Sequence, residues 1–332
     1  HGVFGQIEAD VMHHADVYLL IVTASIPFIA LYNGGAAIFR AMGNSEVSMK
    51  VSLLMNAINV SGNAILIYVF HCGTEGVAIP TLVSRFVAAF IIIKLLLKDK
   101  WTLHLERTFR FNPDWSMIRK ILSVGIPNGL ENSMFQLGKV LVLSLVSTFG
   151  TYAIAANAVS NVITLFSILP GQAICLAVTT VIARCVGAGD YEQAKYYNKK
   201  LILLTHIGMT ITIFIVFITL PFILKVYNLS EAASEATRHI IWFHGFCAIL
   251  IWAESFTLPA TFRACGDAKA CMIISTVSMW IFRVGASYIL GKNLGLGVFG
   301  VWVAMIIDWA FRSLLFGIRY FSGKWKKHAL VS

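Results

Sequence analysis

The chain has 332 residues, of which 58% are hydrophobic and 13% charged, with a formal charge of +10 and a mean hydropathy of +0.78. Ordinary soluble domains carry roughly a quarter charged residues, so this composition excludes a water-soluble globular protein and points to a membrane. The basic excess does not form a nucleic-acid face, because Lys and Arg fall between apolar runs rather than along one solvated surface.

A bilayer core of ~30 Å takes about 20 apolar residues in helix, and nine such runs follow one another. The first three are Val17 to Phe39, Met49 to Phe70 and Gly76 to Leu97. A long polar stretch follows, in which Asn112, Pro113 and Asp114 read as the cap of a short interfacial helix. The remaining runs are Ile121 to Thr148, Tyr152 to Ile182, Leu201 to Val226, Ile240 to Phe262, Met272 to Leu290 and Val298 to Phe321. All are expected to be helical, since backbone facing lipid must satisfy its own hydrogen bonds. The longest should tilt, and Pro170 should kink the fifth.

Basic residues alternate between connections. Lys98, Lys100, Arg107, Arg110, Arg119 and Lys120 lie between spans three and four; Arg184, Lys195, Lys199 and Lys200 between five and six; Lys324, Lys326 and Lys327 after span nine. The positive-inside rule makes these ends cytoplasmic, with Ser332 inside and His1 outside.

The phrase Phe39-Arg40-Ala41-Met42-Gly43-Asn44 returns as Phe262-Arg263-Ala264-Cys265-Gly266-Asp267, and Gly73, Gly76 and Val77 are answered in step by Gly297, Gly300 and Val301. Two landmarks at nearly one offset define a repeat of about 220 residues. An even number of spans separates the copies, so they face one side of the membrane and the repeat is parallel, with its axis along the membrane normal. The expected organisation is the second half of an N-terminal bundle at 1–97, a cytoplasmic linker at 98–120 and a six-span C-terminal bundle at 121–332, the front of the first bundle being absent.

The six cysteines show no CxxC or metal-ligand spacing, and no Walker loop, dinucleotide fingerprint or nucleophile elbow is present. No metal, no cofactor and no enzymatic activity are expected. Intramembrane ionisable groups are then the functional candidates, since each costs ~2.5–3.5 kcal/mol near a helix centre. Glu131 reads as a lone carboxylate, because its nearest basic neighbour along the helix, Lys139, lies eight positions away. Asp308 and Arg312 share a helix face and are expected to neutralise each other. Glu254 is the third acid, and Arg85 an interhelical partner. Asn56, Asn59 and Asn63 form a polar stripe on span two. His244 either titrates or bonds a neighbour.

In order along the chain, several phrases resemble the multidrug and toxic compound extrusion (MATE) family: Gly125-Ile126-Pro127, Leu169-Pro170-Gly171, Ala177-Val178-Thr179-Thr180, Gly187-Ala188-Gly189-Asp190, both Arg-Ala-x-Gly copies, and Gly300-Val301-Trp302 with Asp308, Trp309 and Arg312. The resemblance spans essentially the whole chain and implies family helices four to twelve of a twelve-helix, two-bundle transporter. It implies secondary-active efflux of organic cations or amphipathic drugs against H+ or Na+, by a monomer in the cell inner membrane. Cation coupling would fall on Glu131, Glu254 and Asp308, and the substrate cavity on Asn56, Asn59, Arg85, Gln136 and Lys139. Arg40 and Arg263 are expected to anchor at the headgroups. The alternative is a flippase for lipid-linked oligosaccharide, which needs a cavity of clustered bases where drug efflux favours an acidic one.

Overall fold

The computed structural model describes residues 9–106 and 113–328, so that Arg107, Arg110 and Asn112 lie outside the described residues. Every regular element among them is helical. Eight helices are long and apolar enough to cross a membrane, which makes this a multi-pass membrane protein. By contacts the chain divides into two units, residues 1–112 and 113–332.

In the first unit, α1 (Ala9–Ala24) and α2 (Ile26–Ala41) together fill the first expected span. α3 (Ser45–Ala64) continues through a π turn at Ile65–Val69, and α4 is Glu75–Leu96. Tyr32, Ala36, Phe39, Val51, Ala88, Ile92 and Leu96 make one buried cluster.

The second unit begins with α5 (Trp115–Ser147), α6 (Thr151–Gly187) and α7 (Tyr191–Tyr227). α8 (Glu231–Trp252) runs through a π turn, Ala253–Thr257, into α9 (Leu258–Ala264). α10 (Ala268–Ser278) passes into π segments at Met279–Gly285 and Tyr288–Asn293, and α11 is Gly297–Phe321. The cap expected ahead of span four is formed, and the helix that it starts runs on into the span without a break. Asp114 accepts from Ser116 N at 2.9 Å and Met117 N at 3.1 Å and starts α5 directly, so cap and span are one 33-residue helix. α5 is not among the eight strongly apolar helices, because Asn128, Glu131, Asn132, Gln136 and Lys139 lower its hydropathy. Its polarity marks it as the helix that carries the site.

The repeated phrase is a helix stop. Gly43 and Gly266 have φ of 83° and 86°, and in each copy the sixth residue's N–H bonds the first residue's carbonyl, Asn44 to Phe39 and Asp267 to Phe262, both at 2.9 Å. A Cβ is disfavoured in this left-handed conformation, which explains the Gly. Phe39 and Phe262 are fully buried at equivalent places. The Gly187-Ala188-Gly189-Asp190 phrase makes the same stop, with Gly189 at φ 74° and Asp190 N bonded to Cys185 O at 3.0 Å.

Close helix approach depends on missing side chains. A Cβ on Gly171 would stand 2.3 Å from the Trp252 ring, and one on Gly138 would stand 2.4 Å from Met279 Cε. The first glycine seats Trp252 between α6 and α8; the second brings α5 against the π segment that carries Arg283.

Candidate functional site

Glu131 is buried, but it is not the lone acid that spacing along α5 implies. Arg263 Nη2 lies 2.7 Å from its Oε1, and Arg312 Nη2 lies 4.0 Å from the same oxygen. Arg263 comes from α9, in the second copy of the repeated phrase, so this arginine turns into the unit rather than anchoring at the headgroups. The pair lines a cavity of about 250 Å³ with Asn128, Asn132, Phe135, Gln172 and Trp252. The Arg312 guanidinium lies 4.7 Å over the Phe256 ring, and Phe256 stacks on Trp252 at 5.0 Å. This carboxylate therefore already faces the positive charge of two guanidinium groups.

Asp308 and Arg312 make no direct contact within 4.0 Å, although the Asp308 carboxylate still acts on the Arg312 charge. Asp308 is fully buried and accepts from Ser278 Oγ at 2.5 Å, tying α11 to α10, while Arg312 turns toward Glu131 and Phe256. Helical spacing puts the two on neighbouring positions, but the partners presented by α5 and α10 decide where they point.

Glu254 lies on the π turn between α8 and α9 and faces α7. His206 Nε2 is 2.9 Å from its Oε1, and His206 Nδ1 is 2.8 Å from Ile249 O. A carbonyl oxygen only accepts, so Nδ1 carries a hydrogen. The contact from Nε2 to the carboxylate then needs one further proton, held either as imidazolium with carboxylate or as neutral imidazole with carboxylic acid. Without it, two lone pairs would face each other across 2.9 Å. Ser255 Oγ donates to Trp309 O at 2.6 Å and fixes this turn against α11. Nothing along the sequence joins His206 to Glu254; only the antiparallel packing of α7 against α8 does.

A second cavity, of about 260 Å³, lies further along α5 and is lined by Lys139, Arg283, Asn157, Asn161 and Trp302 among others. Lys139 Nζ and the Arg283 guanidinium lie 5.2 and 5.3 Å from the centre of the same Phe135 ring. Gln136 is exposed and lines neither cavity. His244 packs edge-on against Trp302 and Trp309, with ring centres 5.5 and 5.2 Å away.

In the first unit, the asparagine stripe and Arg85 join helices. Asn59 Nδ2 donates to Thr81 Oγ1 at 3.0 Å, and Asn63 Nδ2 bonds Asn59 Oδ1 at 3.4 Å. Arg85 Nη1 donates to Ser25 Oγ at 2.7 Å, at the break between α1 and α2. Asn56 is exposed on α3. Arg283, His206 and the inward-turned Arg263 were not recognisable as site residues, since each gains its meaning from another helix.

A family model described as MatE matches residues 127–289. The chain is 25% identical over 336 residues to a probable multidrug resistance protein NorM of Thermotoga maritima, covering 100% of this chain and 72% of that protein. It is likewise 25% identical to the probable multidrug resistance protein YoeA of Bacillus subtilis, over 97% of this chain and 70% of that one. Among solved structures, an outward-facing multidrug resistance MATE family transporter of the MOP superfamily superposes with a TM-score of 0.84 at 20% identity, over 93% of this chain and 70% of the other. That likeness is one of fold.

Proposed function

This chain belongs to the MatE family of transporters, and we propose that it extrudes small amphipathic compounds across the cell inner membrane in exchange for inward-moving H+. Its members move solutes rather than transform them, so no bond chemistry is asked of the site. Relatives described as multidrug resistance proteins support the substrate breadth. The basic cluster at Lys324, Lys326 and Lys327 supports a cytoplasmic C-terminus. Alternating access would come from rocking of two bundles, 1–97 and 121–332, about the 98–120 linker.

The observation that carries H+ over Na+ is the bonding of His206 between Ile249 O and Glu254. That arrangement holds one proton by necessity and offers a nitrogen where a hard cation takes oxygen ligands. Loss of the proton removes the bond between α7 and the π turn. Arg263 lies on the same broken helix, nine positions beyond Glu254, so a shift of that turn would act on the Glu131–Arg263 pair. π turns recur at functional sites because the extra residue per turn relocates without breaking the helix. Glu131 and Asp308 act in this scheme as fixed partners, and Glu254 as the coupling acid.

A lipid-linked oligosaccharide is a poorer fit. A cavity of about 260 Å³ takes a small solute, and a pyrophosphate with several sugars is far larger.

The test is dye extrusion by protein reconstituted in vesicles, with the pH and Na+ gradients imposed separately. Extrusion should follow the pH gradient and fall by about a hundredfold or more in Glu254→Gln, a loss comparable to removing a positioned proton-transfer group. Extrusion driven by Na+ alone would refute the H+ assignment, and extrusion after both gradients are collapsed would refute antiport.

A further inference from the structure

Lys139 and Arg283 are two cations on one aromatic ring, and the one acid that acts on either, Asp308, is shared between Arg283 and Arg312. Neither makes an ion pair within 4.0 Å among the described residues, and the two nearby carboxylates, Glu131 and Asp308, serve four cations, Arg263, Arg312, Arg283 and Lys139, so positive charge is in excess. Snorkelling does not relieve Lys139. It lies eight positions before the end of α5, about 12 Å along the axis at 1.5 Å per residue, further than a lysine side chain reaches. Arg283 is equally placed inside the helical span Ala268–Asn293. Lys139 is exposed and Arg283 half-buried, and contact with Phe135 offsets only part of the desolvation of Arg283. The arrangement is therefore incomplete in electrostatic terms, and an anion would complete it.

The rest of the cavity suits the same occupant. Trp302 Nε1 donates to Asn157 Oδ1 at 3.2 Å, which occupies the acceptor end of that amide and leaves its N–H2 end as the available one. Val142, Leu143, Met305 and the Trp302 ring supply an apolar wall, and no lining residue is acidic. Gly138 allows α5 and the Met279–Gly285 segment to approach closely enough for the ammonium and guanidinium to share one ring.

We propose that this cavity binds the anionic end of a small amphipathic solute, a carboxylate held between Lys139 and Arg283 with its aromatic body against Trp302. Arg283 supplies planar, directional donors and Lys139 a point charge, a combination that recognises carboxylates and repels quaternary ammonium groups. The substrate class is thus an organic acid or zwitterion, in place of the organic cation expected from the sequence. That the occupant is cargo rests on the transporter reading; binding itself needs no gradient, so its failure is distinguishable from failure of H+ coupling.

The experiment is calorimetric titration of the purified protein, in discs of phosphatidylcholine, with two probes of matched body: 2-naphthoate and trimethyl-(2-naphthyl)ammonium. Naphthoate should bind at least about tenfold more tightly, and Lys139→Gln and Arg283→Gln should each weaken it by about tenfold, the equivalent of one charge-assisted contact. Arg283→Lys keeps the charge but not the planar donors and should lose less affinity than Arg283→Gln, which guards against a misfolded variant. Equal or tighter binding of the ammonium, or naphthoate binding indifferent to both glutamine substitutions, overturns the proposal. A parallel titration in phosphatidylglycerol discs separates cargo from lipid. If the anionic lipid abolishes naphthoate binding to the parent protein, a lipid headgroup holds the site and the solute assignment falls.

Discussion

Replacing Glu131 by Gln keeps the side chain's shape and removes its charge, leaving Arg263 without the carboxylate 2.7 Å away and Arg312 without the one at 4.0 Å. At an effective dielectric near 20, those separations correspond to about 6 and about 4 kcal/mol of gross attraction. Desolvation of three charged groups cancels much of this, and Arg263 keeps a quarter of its side-chain surface exposed, which softens the loss further. The net cost expected for Glu131→Gln is about 3 kcal/mol, at the low end for breaking a buried pair. Arg263→Gln should cost less, about 1–2 kcal/mol, because Glu131 retains Arg312 as a counter-charge. The double substitution should cost scarcely more than Glu131→Gln alone. Reversible unfolding in mixed micelles with rising SDS measures all three. If the two single costs add within about 0.5 kcal/mol, the groups act independently and the ion-pair account of this cavity is wrong.

Three further outcomes follow from packing and capping. Gly171→Ala drives a methyl into the Trp252 ring and should cost about 1–3 kcal/mol by overpacking, whereas Gly187→Ala, which meets nothing within 4 Å, should be neutral or stabilising by up to about 1 kcal/mol; the same unfolding assay ranks them, and equal effects would contradict the close approach of α6 and α8. Gly266→Ala should destabilise by about 1–2 kcal/mol, since its φ of 86° lies in the left-handed region, and an unchanged midpoint would refute that conformation. Asp114→Ala removes the acceptor for Ser116 and Met117 N–H and should cost about 1 kcal/mol, seen as faster amide exchange over the first turn of α5 while the middle of that helix is unchanged.

The helices were legible because a span is written in one continuous stretch of apolar residues, and the Gly that ends it is fixed by local backbone conformation. The charged partners were not, because a partner is a property of two helices. Glu131 read as isolated when only Lys139 on its own helix was considered, yet the charge that meets it is at position 263. Asp308 and Arg312 illustrate the reverse error. Their spacing of four leaves the two charges within electrostatic reach, but their direct contacts go to Ser278 and Glu131 on neighbouring helices. Glu254 was placed among the acids that matter, while His206 passed without notice as an ordinary residue of a long apolar run.

The three Gly-terminated helix ends leave very short links: Met42–Asn44 between α2 and α3, Ala188–Asp190 between α6 and α7, and Cys265–Asp267 between α9 and α10. Links of that length add little closure entropy to the meeting of the helices they join. Each such pair therefore meets as a near-intramolecular event, and its two helices are set to order together rather than one after the other.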